Sequence, residues 1–261
     1  MLTDLPGIVY RSLLVISKRF LPRRLIDLYR RLRFNRAILR ALNRPLHEYK
    51  YSIFSQNGED GVVEELLHRL QISEGWVVEF GAWDGTHLSN TFRLISDYSD
   101  FRAVYIEGDK QKYQELVATA NKYAGRIIPV NTYVQPKGGH SLDAVLKKTP
   151  IPPDFDLLSI DIDGPDFHIW DRLSDYYPKI VIIEINSSIP PDTEQVHGIK
   201  AQGTSFKSMV KLGERKGYKC VCHIGNVFFV RNNLIGKLRL SRKSLRQAER
   251  LFLNSYLAKS C

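Results

Sequence analysis

The sequence is poor in cysteine, with only Cys220, Cys222 and Cys261. So few thiols exclude a disulfide framework, and a single C-x-C pair lacks the second pair that a zinc site needs. Because side chains alternate along a strand, we expect Cys220 and Cys222 to be buried thiols on one side of a strand. This cysteine usage favours a reducing compartment, and we expect a cytoplasmic protein.

The chain also lacks any run of about 18 uncharged apolar residues, the length that a membrane-spanning helix requires. The apolar N-terminal stretch IVYRSLLVIS is interrupted by Arg11 and preceded by Asp4, so we expect no signal peptide. Hydrophobic residues make up 43% of the chain and charged residues 25%. These proportions predict a globular protein with a sizeable core.

Acidic residues are scarce at both ends of the chain, and the net charge of +10 arises there. Residues 1–50 carry 12 Lys and Arg against 3 Asp and Glu, and residues 231–261 carry 8 against 1. We predict a basic helical extension at 1–50, a globular domain at 51–231 and a basic C-terminal helix at 232–261. Such ends favour an anionic membrane surface as a partner, so the protein would be peripheral to a membrane.

In the C-terminal segment, Leu245, Ala248 and Phe252 share one helix face with basic residues around it, which is typical of a helix in a membrane interface. The basic ends lack interleaved aromatic residues, and this argues against nucleic acid as a partner. Solvated helices packed on the core are the alternative. A homo-oligomer is compatible with the sequence.

Between the basic ends, apolar strand-like runs alternate with helix-like segments. The runs lie at 76–80, 103–107, 126–130, 156–162 and 179–185, and this alternation predicts a parallel sheet covered on both faces. Two final runs, 218–224 and 226–231, are separated by Gly225 alone, which predicts an antiparallel hairpin. The predicted fold is α/β, a Rossmann-like doubly wound sheet, mostly parallel with a C-terminal antiparallel hairpin, plus basic terminal helices.

The first strand runs into the glycine turn VVEFGAWDGTHLSNT at 77–91. Ligands of doubly wound sheets bind outside the carboxyl ends of the strands. Glu107, at the end of the second strand, follows Gly85 by 22 residues, close to the ~20 expected of an acid that binds ribose hydroxyls. The middle glycine of G-x-G-x-x-G is missing, and Glu79 and Asp84 would repel a pyrophosphate. These features favour a nucleoside ligand with a positive end, such as S-adenosylmethionine, over NAD.

The segments VEFGAWDGTHLSNT, YIEGD, LLSIDIDGPDFHIW and IEIN resemble the class I S-adenosylmethionine-dependent methyltransferases, and more closely the FkbM-like branch and related sugar O-methyltransferases. The resemblance covers about residues 51–231 and implies methylation of a sugar hydroxyl of a surface glycan or glycolipid. It implies that Glu107 holds the ribose and that Asn131 approaches the adenine, whereas the bulky Trp83 departs from the pattern. The implied cofactor-binding residues are Glu79, Gly81, Ala82, Trp83, Gly85, Glu107 and Asn131.

Carboxylates lie at the ends of the predicted fourth and fifth strands. Alternation places Asp161 and Asp163 on one face, and likewise Glu184 and Asn186. If these strands are neighbours, the four side chains converge beside the cofactor, where hard oxygen ligands suit Mg²⁺ or Mn²⁺. A bound ion would activate the acceptor hydroxyl. In the alternative, Asp163 and Asp166 cap a helix.

The hydroxyl proton needs a general base, for which His168 is the first candidate and Asp163 the second. Two other classes of function stay open. One is a nucleic-acid methyltransferase, and the other is a non-catalytic, membrane-associated interaction protein with the same fold.

Overall fold

The structure, a computed structural model, describes residues 44–162, 164–199, 201–240, 245 and 248–257, with the side chains of 253–257 left out. The chain divides into two units, Met1–Arg44 and Pro45–Cys261, and the described residues lie almost entirely in the second. The extension predicted at 1–50 therefore lies mostly outside the described residues. The three-part division of the chain stays a prediction.

The described residues form seven strands and seven α-helices, which alternate along most of the chain. The strands are β1 (Gly75–Phe80), β2 (Phe101–Glu107), β3 (Ile127–Asn131), β4 (Leu157–Ile160), β5 (Ile180–Ile183), β6 (Tyr218–His223) and β7 (Val227–Arg231). The helices are α1 (Glu59–Leu70), α2 (Phe92–Asp97), α3 (Lys110–Ala120), α4 (Leu142–Leu146), α5 (Asp166–Arg172), α6 (Phe206–Arg215) and α7 (Ala248–Leu257). Short 3-10 segments lie at Leu46–Tyr49, Asn121–Tyr123, Gly138–His140 and Asn232–Leu238.

The strands form one sheet in the order β3-β2-β1-β4-β5-β7-β6. Strands β1 to β5 are parallel, and β7 is antiparallel to both β5 and β6. The predicted fold, a doubly wound Rossmann-like sheet with a C-terminal antiparallel hairpin, is confirmed. The strand order reverses between β1 and β4, and at such a switch point a crevice opens above the carboxyl ends of the strands.

Both faces of the sheet are buried, which explains why its strands are continuous apolar runs. Val78 and Phe80 of β1 belong to the core on one face, where helices α4 to α7 pack, and Val77 belongs to the core on the other face, under α1 to α3. Strands β4 and β5 are shorter than predicted and end at Ile160 and Ile183. Asp161 and Glu184 of the predicted metal site therefore lie in the loops after the strands.

The two thiols of β6 are buried as predicted, but the prediction that they share one side of the strand is wrong. Cys220 belongs to the core of one face and Cys222 to that of the other. The strand has an irregularity in register between them, and an extra residue in a bulge shifts the alternation. Burial raises the pKa of Cys220 to about 12 and raises that of Cys222 as well, so both are unreactive structural thiols.

The C-terminal helix α7 packs its apolar side on the protein. Leu251 and Phe252 are buried in the core, and Ala248 packs against the same cluster. The face predicted to lie in a membrane interface is thus occupied by the sheet and α6. Within the described ranges, no helix has the length and apolar character needed to cross a bilayer.

Candidate active site

A cavity of about 560 Å³ opens at the carboxyl edge of the sheet, over the switch point between β1 and β4. Residues from the ends of β1, β2, β4 and β5 contribute to its wall, together with the segment after β3 and the turn between β6 and β7. Its lining includes Gln56, Glu79, Gly81, Trp83, His87, Leu88, Asn90, Glu107, Lys112, Thr132, Tyr133, Val134, Asp161, Ile162, Glu184 and Asn226. We call it the cofactor cavity, after the cofactor that the sequence predicts to bind there.

Glu107 ends β2 at this cavity and is buried. Its Oε2 accepts a hydrogen bond from the Trp83 backbone N–H (2.9 Å), and its Oε1 accepts one from the Asp109 N–H (2.8 Å). Two loops therefore fix the orientation of the carboxylate. Each oxygen of an ionised carboxylate has a second lone pair, so this group can accept two further hydrogen bonds from a pair of adjacent hydroxyls.

Glu79 lies in β1 and is buried, and its carboxylate organises the loop that leads to α2. Oε2 accepts hydrogen bonds from the hydroxyls of Ser89 (2.6 Å) and Thr91 (2.5 Å), and Oε1 accepts one from the Asn90 N–H (3.0 Å). Burial raises the pKa of Glu79, although these hydrogen bonds oppose the shift. The cavity wall thus contains a carboxylate for which a cationic ligand would be a favourable neighbour.

The backbone conformation and close packing of the turn favour glycine at positions 81 and 85. Gly81 has φ +78°, and a Cβ there would lie 2.1 Å from the Asp161 carbonyl oxygen. Gly85 has φ +80°, and its Cβ would lie 2.7 Å from Leu116 Cδ1. Gly81 lines the cofactor cavity, whereas Gly85 packs against the α3 side of the core. A left-handed backbone and close packing therefore explain both positions before any ligand is considered.

Two other predicted cofactor residues do not line the cavity. Ala82 is buried in the core under α1 to α3. The Asn131 side-chain amide donates to the Glu107 carbonyl oxygen (2.8 Å) and so ties the end of β3 to that of β2. In this arrangement both residues support Glu107 and its loop, and direct contact of either with a cofactor stays a prediction.

The mouth of the cavity is apolar and cationic. Trp83 (φ +50°) and Leu88 (φ +54°) have left-handed backbones and exposed side chains. The Lys112 ammonium lies 4.0 Å from the centre of the Trp83 ring. The Tyr133 ring, 68% exposed, rests on Gly108, where a Cβ would lie 2.3 Å from it. Tyr133 and Lys112 were missed in the sequence because neither belongs to a motif.

The acids after β4 and β5 come together only in part. Asp161 and Glu184 line the cofactor cavity. Asn186 faces elsewhere: its Oδ1 accepts hydrogen bonds from the Ser188 hydroxyl (2.5 Å) and the Ser188 N–H (3.0 Å). Asp163 lies outside the described residues. Among those the structure describes, no group of three or more His, Cys, Asp or Glu could hold a metal ion.

His168, the candidate base, and Asp166, the candidate helix cap, both form hydrogen bonds with backbone groups. His168 Nε2 lies 3.0 Å from the His197 carbonyl oxygen, so Nε2 carries the proton of that hydrogen bond and Nδ1 is the proton acceptor of the neutral ring. Asp166 begins α5 without capping it. Its carboxylate accepts the N–H groups of Ile162 (3.0 Å) and Gly164 (2.9 Å) and thereby shapes the loop after β4.

A second cavity of about 460 Å³ adjoins the first, and Glu184 lines both. We call it the acceptor cavity. Hydroxyl, amide and carboxylate groups dominate its wall. Its lining residues are Gly164, Asp166, Glu184, Ile185, Asn186, Ser187, Gln202, Gly203 and Thr204. The segment 202–204 was not predicted, because it lies in an irregular loop whose residues have no periodic pattern.

No family model matches the chain, and no curated protein matches it. The structure is similar to M. capricolum TrmK in complex with S-adenosyl-homocysteine (11% identity, 63% of this chain and 65% of that one, TM-score 0.39). It is similar to the [4+2]-cyclase SpnF (11% identity, 66% of this chain and 63% of that one, TM-score 0.42). It is also similar to a putative O-methyltransferase from Klebsiella pneumoniae (15% identity, 75% of this chain and 90% of that one, TM-score 0.49). The chain thus spans just under two thirds of TrmK and SpnF. At such identities a likeness concerns the fold alone.

Proposed function

We propose that this protein is an S-adenosylmethionine-dependent methyltransferase. The position of Glu107 carries the proposal: it ends β2 at the cofactor cavity, with its carboxylate oriented by two backbone N–H groups. Such a group accepts hydrogen bonds from the two hydroxyls of a ribose. On the β4 and β5 side of the same cavity, Asp161 and Glu184 favour a cationic end of the ligand. S-adenosylmethionine combines a ribose with a sulfonium and an ammonium group.

We propose further that the acceptor is a sugar hydroxyl of a glycan or glycolipid, as in the FkbM-like enzymes that the motifs resemble. The polar wall of the acceptor cavity supports this, because hydroxyls, amides and carboxylates are the partners of a polyhydroxylated ligand. Glu184 lies at the boundary of the two cavities. There it is suited to take the proton of an acceptor hydroxyl as the methyl group is transferred. His168 through Nδ1, and Asp163, stay the alternative bases.

Binding and methyl transfer test the proposal in sequence. Calorimetry should show that the protein binds S-adenosylmethionine, and isotope-labelled methyl groups should pass to members of a panel of glycans and glycolipids. Labelled RNA would instead favour the nucleic-acid alternative. Binding without transfer to any acceptor would favour the non-catalytic alternative, and lack of cofactor binding would contradict the proposal.

Assistance by Mg²⁺ or Mn²⁺ stays a hypothesis in which Asp161 and Glu184 hold the ion together with Asp163. Chelation separates the two mechanisms. If a metal acts on the hydroxyl, chelator stops turnover, added Mg²⁺ or Mn²⁺ restores it, and cofactor binding survives. Full activity of the metal-free protein would leave Glu184 or His168 to act alone as the base.

A further inference from the structure

The turn between β6 and β7, the two strands beyond β5 in the sheet, contributes to the wall of the cofactor cavity. Because β7 is antiparallel to both β5 and β6, β6 runs in the direction of β5, and its end lies at the carboxyl edge of the sheet. Asn226, in this turn, is buried and lines the cofactor cavity. It is therefore placed to contact whatever ligand occupies the β4 and β5 side of that cavity.

Glu59 fixes the orientation of the Asn226 amide. Asn226 Nδ2 donates to Glu59 Oε1 (3.3 Å), and the Asn57 backbone N–H donates to Glu59 Oε2 (2.7 Å). Burial raises the pKa of Glu59, and the hydrogen bond from the Asn57 N–H opposes that shift. In its ionised form the carboxylate can only accept hydrogen bonds, so the amide turns its nitrogen toward Glu59. Its oxygen Oδ1 is then left as an acceptor, and no hydrogen bond among the described residues engages it.

The segment before α1, which leads to Glu59, packs closely against the β6–β7 turn, which carries Asn226. A Cβ at Gly225 (φ +123°) would lie only 2.7 Å from Asn57 Nδ2. Glu59 is fully buried at the start of α1, and Gln56 of the same segment lines the cofactor cavity. The turn therefore packs closely on the Asn57 side chain, and the hydrogen bond to Glu59 holds the Asn226 amide. We expect a change at Glu59 to alter the orientation of that amide.

Resting on the proposed function, we infer that Asn226 binds the ammonium group of the methionine moiety of S-adenosylmethionine through Oδ1, with Glu59 as its positioning residue. The ammonium is the hydrogen-bond donor of that moiety. It would lie on the side of the cavity where Asp161 and Glu184 add negative potential. The neutral amide oxygen selects the ammonium by the position of its hydrogen bond, and the two carboxylates attract the positive charge.

Replacing Glu59 by Gln tests the orientation itself. In Glu59→Gln the side-chain oxygen must accept from the Asn57 N–H, so an NH₂ group faces Asn226 and the Asn226 amide reverses. A donor then faces the ammonium. We expect the affinity for S-adenosylmethionine to fall at least about tenfold, since a hydrogen bond to a charged group is lost. Binding of 5′-methylthioadenosine, which keeps the nucleoside and lacks the ammonium, should change less than about twofold.

The double variant Glu59→Gln, Asn226→Asp should restore binding, because the acid and the amide have exchanged places and a carboxylate oxygen again faces the ammonium. Asn226→Ala should lose S-adenosylmethionine selectively, like Glu59→Gln. Glu65→Gln, in the same helix and paired with Arg69, is the matched control and should bind both compounds as the wild type does. Calorimetry gives the affinities, and thermal unfolding shows that each variant folds.

The outcomes separate the two proposals. A loss that is equal for both compounds, or absent, or not rescued by the double variant, would overturn the role of Asn226 while the cofactor assignment stands. A wild-type protein that binds neither compound would overturn the cofactor assignment, and the inference with it.

Discussion

In the proposed function, Glu107 is the side chain on which binding of the nucleoside most depends. In Glu107→Ala, the hydrogen bonds to the ribose are lost and the Trp83 and Asp109 N–H groups lose their acceptor. A hydrogen bond to a charged group contributes about 1.5–3 kcal/mol. We therefore predict that S-adenosylmethionine binds one to two orders of magnitude more weakly by calorimetry. Glu115→Ala, on the exposed side of α3, is the control, and equal affinities of both variants would remove the ribose role.

We predict that replacing Gly81 lowers the free energy of unfolding. Gly81→Ala and Gly217→Ala both place a Cβ on a left-handed backbone, with φ +78° and +82°, at a cost of about 1–2 kcal/mol each. Only at Gly81 would the new atom meet a backbone oxygen, that of Asp161, since nothing lies within 4 Å at Gly217. Urea denaturation should show Gly81→Ala less stable than Gly217→Ala by about 1–3 kcal/mol. If the two variants lose the same stability, the backbone after β1 moves to make room for the new Cβ, and this prediction is wrong.

Glu79 should make the stability of the ligand-free protein depend on pH. Burial raises its pKa in the folded state above the ordinary value of 4.5, so the unfolded chain ionises first. Its stabilising contribution is present below the unfolded pKa and is lost as pH rises through the folded pKa. Urea denaturation from about pH 4 to about pH 9 should show the wild type losing stability relative to Glu79→Gln as pH rises. A difference that is constant with pH would contradict the prediction.

Part of this site could be predicted from local sequence, and part could not. The strand-end position of Glu107 and the acids after β4 and β5 follow from periodicity alone. Asn186 lines the acceptor cavity but not the cofactor cavity. Strand β5 ends at Ile183, so alternation does not continue into the loop that carries Asn186. The contact of Asn226 with Glu59 joins residues 167 positions apart, and no local pattern encodes it.

Among the elements, α7 shows how one amphipathic pattern fits two environments. The sequence predicts an apolar face on a basic helix, and that pattern is the same whether the face meets lipid or protein. In the structure, the Phe252 ring stacks on His223 at 4.7 Å between ring centres and lies 5.2 Å from Phe206. Only the three-dimensional arrangement decides between these environments.

Docking of α7 should therefore be measurable as stability. Phe252→Ala removes a buried ring, and such a loss typically costs about 3 kcal/mol or more. We predict a lower midpoint of urea denaturation than for the wild type, whereas Glu249→Ala, exposed on the same helix, should be nearly neutral. If Phe252→Ala is as stable as Glu249→Ala, α7 is not anchored on the sheet in solution.

For the whole molecule, the basic ends still predict peripheral attachment to an anionic membrane. Because the apolar side of α7 packs on the protein, this helix would contribute through its charge alone. Each Lys or Arg near such a surface contributes about 1 kcal/mol, and salt screens the attraction. In sedimentation assays we expect binding to anionic but not to neutral vesicles, and loss of binding at high salt. Protein that stays in the supernatant with anionic vesicles at low salt would assign the basic ends another role.

The position of β7 between β5 and β6 also sets the order in which a nascent chain can complete its sheet. Strand β5, all of it apolar and buried in the finished sheet, leaves the ribosome long before β7 and remains an open edge until then. Such an edge invites pairing with other chains. The β6–β7 hairpin forms locally and adds as a unit, bringing Asn226 with it. The cavity is therefore completed only when this hairpin has joined the sheet. Cofactor added during synthesis should protect the chain from proteolysis only after Arg231 has emerged.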